Sequence, residues 1–88
     1  MKLYIKNPKF AYKKIVSRYV LVDIRDEDQI HRLNPIASDI WEMCDGKHTV
    51  DEMVKIMSKR YSDVPLNLKD DIVVFVNKML KSDIIKEI

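Results

Sequence analysis

Few side chains in this sequence have the type and spacing that catalysis or metal binding requires. The two histidines, His31 and His48, have no zinc-like spacing with the single cysteine, Cys44, and fall on different predicted elements. Cys44 follows Ile40 at helical spacing, which favours a buried, inert thiol over a nucleophile. With one glycine, Gly46, the chain has no glycine-rich phosphate loop. These residues predict a protein that is not an enzyme and that binds no metal or cofactor.

The charge balance leaves several interpretations open. The chain carries 16 Lys and Arg against 14 Asp and Glu, a net charge of +2, yet every charged residue among the first 20 is positive. Such a basic stretch can protect an edge strand from aggregation, or it can attract an acidic peptide. A nucleic-acid surface is the third alternative, which the small net charge disfavours.

Length and composition predict one small soluble domain. The chain has 88 residues, of which 47% are hydrophobic and 34% charged, as in single globular domains. No apolar run approaches the roughly 20 residues that a membrane-spanning helix needs, and the N-terminal stretch has no signal-peptide core. A single cysteine fits a reducing compartment. We therefore expect a cytoplasmic domain over residues 1–88 that does not interact with membranes.

Residues 1–33 are expected to form a β-meander. Residues 10–13 alternate apolar with small or polar side chains, and residues 19–22 form a continuous run of β-favouring types. Residues 29–33 are the third predicted strand, after an acidic segment at 26–28 that is typical of a solvated turn. A further extended segment is predicted at residues 3–5.

Residues 34–83 change to helical spacing, with three helices expected before a tail at 84–88. Asn34 is a good N-cap residue and Pro35 suits the first position of a helix. Gly46 stands where the end of this first helix would favour a left-handed residue.

The second and third helices also carry capping signals. Thr49 and Glu52 form the signature of a capping box, and residues 62–65 are expected to end the second helix. Asn67 is placed to cap the third helix. The tail is expected to be extended and to pack back on the core. The predicted class is therefore α+β and winged-helix-like, with a three-stranded antiparallel sheet packed on three helices.

One stretch of the sequence resembles PqqD-like proteins. It combines Leu-Asn at 33–34, Ile-Trp-Glu at 40–42, Asp-Gly at 45–46 and a Thr-Val segment beginning at residue 49. The spacing of residues 71–79 is also similar to the third helix of that family, so the resemblance extends over nearly the whole chain. The sequence departs from the family at Asp83, where glycine is frequent, and we expect the end of the third helix to be shifted there.

The resemblance implies a RiPP recognition element, where RiPP denotes a ribosomally synthesised and post-translationally modified peptide. In that family the leader segment of a precursor peptide adds as a strand beside the third strand, in a cleft shared with the third helix. The domain then presents the peptide to a separate maturation enzyme, often a radical S-adenosylmethionine protein. Strand addition draws affinity from main-chain hydrogen bonds and specificity from side-chain pockets.

The resemblance places the peptide-binding residues on the third strand and the third helix. Val73 and Leu80 would form the apolar floor of the cleft, although the same two residues could instead pack on the C-terminal tail. Asn77 and Lys81 would supply polar contacts at its rim. The strand would supply the backbone hydrogen bonds from Gln29, Ile30, His31, Arg32 and Leu33.

Two other functions remain as alternatives. A winged-helix DNA-binding regulator would use Lys55, Lys59 and Arg60 of the second helix, but Asp51 and Glu52 offset their charge. A structural adaptor that docks on a larger enzyme is the other alternative. An exposed edge strand would also allow a homodimer through strand pairing or strand exchange.

Overall fold

The computed structural model describes residues 1–61 and 66–88, which form five strands and three helices. The predicted end of the second helix at residues 62–65 lies outside the described residues. In chain order the elements are β1 (Tyr4–Lys6), β2 (Phe10–Ile15), β3 (Arg18–Asp23), β4 (Asp26–Arg32), α1 (Pro35–Glu42), α2 (Val50–Arg60), α3 (Leu68–Lys81) and β5 (Ile85–Glu87).

The main sheet is an antiparallel meander in the order β2-β3-β4. With the three helices it confirms the predicted α+β class. The composition of residues 26–28 predicted a turn, but that prediction is wrong. These residues form the exposed beginning of β4. The chain turns instead at Ile24 and Arg25, where the Asp23 carboxylate accepts a hydrogen bond from the Arg25 backbone N–H at 2.9 Å. This local cap ends β3 and leaves the following acids free to extend.

The two ends of the described chain pair with each other in a second sheet. β1 and β5 are antiparallel, with Tyr4 opposite Glu87. The Ile88 N–H also donates to the Leu3 carbonyl at 2.9 Å. The extended segments predicted at the beginning and end of the sequence are therefore both present.

The core lies between the inner face of the main sheet and the three helices. Side chains alternate across β3, so that Leu21 is fully buried beside the buried Tyr19. Ser38 of α1 is also buried, and its hydroxyl accepts a hydrogen bond from the Tyr19 N–H at 2.9 Å. Cys44 is buried, as predicted, and the core also includes Trp41. Four methionines fill the remaining space: Met43, Met53, Met57 and Met79.

Two of the three predicted helix caps are confirmed. The Asn34 side chain accepts a hydrogen bond from the Ala37 N–H at 2.8 Å. Thr49 and Glu52 form both hydrogen bonds of a capping box. Asn67 occupies the N-cap position of α3, but its side chain makes no capping hydrogen bond within the described residues, so that prediction is wrong.

The end of α3 is not shifted, contrary to the expectation from Asp83. Asp83 adopts the left-handed conformation, with φ of 64°. The Ile84 N–H donates to the Met79 carbonyl at 2.9 Å and the Asp83 N–H to the Leu80 carbonyl at 3.1 Å. These are the two bonds of a Schellman motif, which usually has glycine at this position. Asn7 supports the unusual residue, since its side-chain amide donates to the Asp83 carbonyl at 2.8 Å.

Gly46 is left-handed as predicted, with φ of 81°, but it does not cap α1, which ends at Glu42. Its backbone N–H donates to the Tyr4 carbonyl at 2.7 Å, next to a bridge between Ile5 and Asp45. A Cβ atom at this position would lie 3.2 Å from the Ile5 side chain. Gly46 therefore allows the loop after α1 to approach β1.

No helix among the described residues is long and apolar enough to cross a membrane.

A candidate peptide-binding groove beside β4

β4 is an edge strand of the main sheet. It pairs with β3 on one side, and no described strand pairs with its other side. The Leu33 N–H donates to the Tyr19 carbonyl at 3.0 Å. Because ladder groups alternate sides along an antiparallel strand, the N–H of His31 also points to β3, whereas those of Ile30 and Arg32 point outward. The outward backbone groups of these two residues can accept an additional strand.

The regular part of this edge is short. Ile30, His31 and Arg32 pair in register with β3, but the register shifts so that Asp26 comes opposite Asp23. The residues between them, including Gln29, lie outside the regular pairing. Of the five strand residues predicted to bind a peptide, Gln29 therefore belongs to an irregular segment, and the other four follow the regular ladder of the sheet.

A groove of about 350 Å³ lies between β4 and α3, and we call it the β4 groove. Strand residues 30–33 form one wall. The opposite wall comes from α3 and the residues that follow it. The full lining comprises Ile30, His31, Arg32, Leu33, Asn34, Ala37, Phe75, Lys78, Met79, Ser82 and Ile84. An apolar floor next to an open strand edge provides the two features that strand addition uses.

Polar contacts tie the β3–β4 turn to the end of α3. The Arg25 guanidinium donates to the Asp23 carboxylate at 2.9 and 3.1 Å and to that of Asp83 at 3.1 Å. The hydrogen bonds from Arg25 lower the pKa of the Asp23 carboxyl. The Asn7 side-chain amide donates to the same Asp83 carboxylate oxygen at 3.1 Å. This cluster links the β3–β4 turn to the end of α3.

The predicted helix residues do not all face this groove. Phe75, Lys78 and Ser82 recur at helical spacing on the β4 side of α3, whereas Val73 and Asn77, four residues apart, lie on the opposite flank. The prediction that Val73 forms the floor of a cleft beside β4, with Asn77 at its rim, is therefore wrong in its geometry. The buried stripe of α3 has two flanks, and the sequence does not indicate which flank meets the strand.

Val73 and Asn77 instead line a second groove of about 360 Å³, which we call the α2 groove. It lies between α3, the beginning of α2 and the first residues of the chain. Its lining comprises Met1, Lys2, Tyr4, Thr49, Val50, Asp51, Lys69, Val73, Val76 and Asn77.

Leu80 and Lys81 line neither groove. Leu80 is half-buried against the core, and Lys81 is exposed. The residues of α3 that do line the β4 groove were missed as binding residues. Phe75, Lys78 and Met79 fall within the segment 71–79 whose spacing resembles the family's third helix, but none of them was predicted to bind a peptide. The sequence carried no signal that singled these three out.

Cys44 is buried, and the two histidines lie on different elements, His31 in β4 and His48 just before α2. Burial raises the pKa of the Cys44 thiol to about 12, so the thiolate is scarce at neutral pH. His48 lies 2.9 Å from the exposed Asp45 carboxylate near the beginning of α2, and His31 lies in β4 against Phe10, with 5.9 Å between ring centroids. Among the described residues no group of three or more His, Cys, Asp or Glu could hold a metal ion.

The fold and groove define a class: small α+β domains with an open strand edge beside a helix, which can accept an extended segment. Residues 18–85 match the family model described as Coenzyme PQQ synthesis protein D (PqqD), and the chain therefore belongs to the PqqD family. No curated protein sequence matches the chain.

Two solved structures share the fold. One is described as TbiB1 in complex with the TbiA(beta) leader peptide, with a TM-score of 0.79 and 16% sequence identity over 93% of this chain and 94% of that one. The other, the heterocyclase TruD, has a TM-score of 0.68 and 17% identity. It covers 100% of this chain, which corresponds to 12% of TruD. At sequence identities this low, the two matches show that the fold is shared and nothing more.

Proposed function

We propose that this protein is a RiPP recognition element that binds the leader segment of a ribosomal precursor peptide by strand addition to β4. The observation that carries the proposal is the open edge at Ile30 and Arg32 beside the apolar floor of the β4 groove. Membership of the PqqD family and the shared fold with TbiB1, a protein solved with a leader peptide, both support it.

The proposed binding mode follows from the alternation of a β-strand. A leader strand beside β4 exchanges backbone hydrogen bonds with Ile30 and Arg32, and every second side chain of the leader points toward α3. Those inward side chains contact the half-buried Phe75, while Met79, which also lines the groove, is almost fully buried. Main-chain pairing supplies affinity for any extended segment, and the floor of the groove supplies selectivity.

The protein acts in this proposal as an adaptor without catalysis of its own. It holds the leader while a separate enzyme modifies the remainder of the precursor. The presence of a similar fold within the heterocyclase TruD supports an association between this fold and peptide modification. By resemblance to the family, we propose a radical S-adenosylmethionine enzyme as the partner.

Hydrogen exchange with and without a precursor peptide encoded near this gene tests the proposal. We expect the amides of Ile30 and Arg32 to gain protection, together with amides of α3 that line the β4 groove. Protection confined to α2 would contradict the proposal. Protection at β4 that rises with protein concentration, without peptide, would instead identify this edge as the contact of a homodimer.

A further inference from the structure

The β4 groove carries an unbalanced positive charge. Its lining includes the cations Arg32 and Lys78 but no acidic residue. Arg32 and Lys78 form no ion pair with any other residue in the described part of the chain, although seven such pairs occur elsewhere in it. Cations that line an apolar groove without an internal partner are suited to an external carboxylate.

The opposite end of the same strand is negative. Asp26, Glu27 and Asp28 are exposed at the beginning of β4, and none of them forms an ion pair with another described residue. At about 3.3 Å per residue, Asp26 and Arg32 lie up to about 20 Å apart. This separation exceeds the Debye length of about 8 Å at physiological ionic strength, so a bound strand meets the two charged ends independently.

We propose that the β4 groove selects a leader whose acidic residues lie beside Arg32 and Lys78, next to an apolar residue that enters over Phe75 and Met79. This inference rests on the proposed function and names the kind of leader that it requires. The acidic beginning of β4 disfavours carboxylates at the other end of the bound segment.

The two cations lie on different faces of the added strand. Arg32 is opposite Val20 in the sheet, one residue out of phase with the inward-facing Leu21, so its side chain belongs to the outer face. Lys78 approaches from α3 on the inner side. An acidic residue at this end therefore meets a cation whether its position in the strand points inward or outward.

A selection from a display library of short random peptides, with the full chain immobilised, tests the proposal. The wild type is compared with Lys78→Glu and with Lys81→Glu, which makes the same charge change three residues further on the same helix but outside the groove. The affinity of the enriched peptides is then measured by fluorescence anisotropy. Hydrogen exchange establishes which of them protect β4.

We expect enriched sequences that pair Asp or Glu with an apolar neighbour. Lys78→Glu should weaken their binding about tenfold and shift the selection toward Lys and Arg. Lys81→Glu should change affinity less than about twofold, since its charge lies outside the groove.

Two results would overturn the inference, and they are distinguishable. Peptides that protect β4 but show no acidic preference, or that bind Lys78→Glu as well as wild type, would refute the charge selectivity and leave the proposed function standing. If no enriched peptide protects β4, both the inference and the proposed function fail.

Discussion

The two grooves that flank α3 are nearly equal in size, about 350 Å³ beside β4 and 360 Å³ beside α2, but they differ in their backbone. The strand next to the α2 groove, β1, is paired with β5 on one side and bridged to Asp45 on the other. β4 has one side without a described partner. The volumes therefore do not distinguish the two grooves. The β4 groove is the one that can accept a strand, because it lies beside unpaired backbone groups.

The two grooves also differ in whether their charged side chains have ion-pair partners. In the α2 groove Lys69 pairs with Asp51 at 3.0 Å, and Lys2, which also lines the groove, pairs with Glu87 of β5 at 3.8 Å. In the β4 groove Arg32 and Lys78 have no such partner among the described residues. A groove that satisfies its own polar groups has less to gain from a ligand.

The largest expected effect comes from a proline at an outward-facing position of β4. Ile30→Pro removes a donor from the open edge, and its ring obstructs an approaching strand. We expect affinity for the leader to fall at least about tenfold, as measured by calorimetry. The melting temperature should change little, because the lost N–H faces solvent in the free protein.

Two matched variants sharpen this test. Ile30→Ala keeps the backbone donor and should retain most of the affinity. His31→Pro removes a donor that faces β3, so it should lower the melting temperature markedly. If Ile30→Pro bound the leader as well as wild type, strand addition at this edge would be wrong.

The second prediction compares the two flanks of α3. Phe75→Ala removes apolar surface from the floor of the β4 groove and should lower leader affinity about five- to tenfold. Val73→Ala, on the flank that faces the α2 groove, should change it less than about twofold. The same anisotropy titration measures both variants. A larger loss in Val73→Ala would place the leader in the α2 groove and reverse the comparison.

The third prediction concerns the cap of α1 at one end of the β4 groove. Asn34→Ala leaves the Ala37 N–H without its acceptor and should destabilise the domain by about 0.5–2 kcal/mol. Urea unfolding measures this difference. Asn34→Asp is the matched control, because it keeps an acceptor and should retain most of the stability. Equal stability of Asn34→Ala and wild type would show that the cap is not needed.

The smallest effect is expected in the α2 groove. Lys69→Ala breaks an ion pair whose side chains are 62% and 74% exposed, and such pairs contribute at most about 1 kcal/mol. Leader affinity should be unchanged within error. A clear loss of affinity in this variant would show that the α2 groove takes part in binding.

Features that depend on residues close together in the sequence were well predicted. The Asn34 cap and the Thr49–Glu52 capping box depend on contacts three residues apart, which a sequence displays directly. The acidic residues at 26–28 misled for a related reason. Their composition suits a turn, but the Asp23 side chain completes the turn earlier and leaves them to extend the strand.

The arrangement of the site depended on contacts between distant elements. Helical spacing predicted the third helix, whose buried stripe includes Ile72 and Val76. The same spacing gives no information on which flank of that stripe meets β4, so Val73 was assigned to the wrong side. Asp83 shows the same limit: its left-handed conformation is supported by Asn7 and Arg25, which are distant in sequence.

The pairing of β1 with β5 brings the first and last described strands side by side. Since Ile88 donates a hydrogen bond to Leu3, a chain that enters the domain leaves it at the same place. Such a domain can be inserted into a surface loop of a larger protein with little disturbance to its core. It can also be circularly permuted, with a short linker between the present ends and new ends elsewhere. The turn between β2 and β3 at Val16, which is 93% exposed, is a suitable place for the new ends.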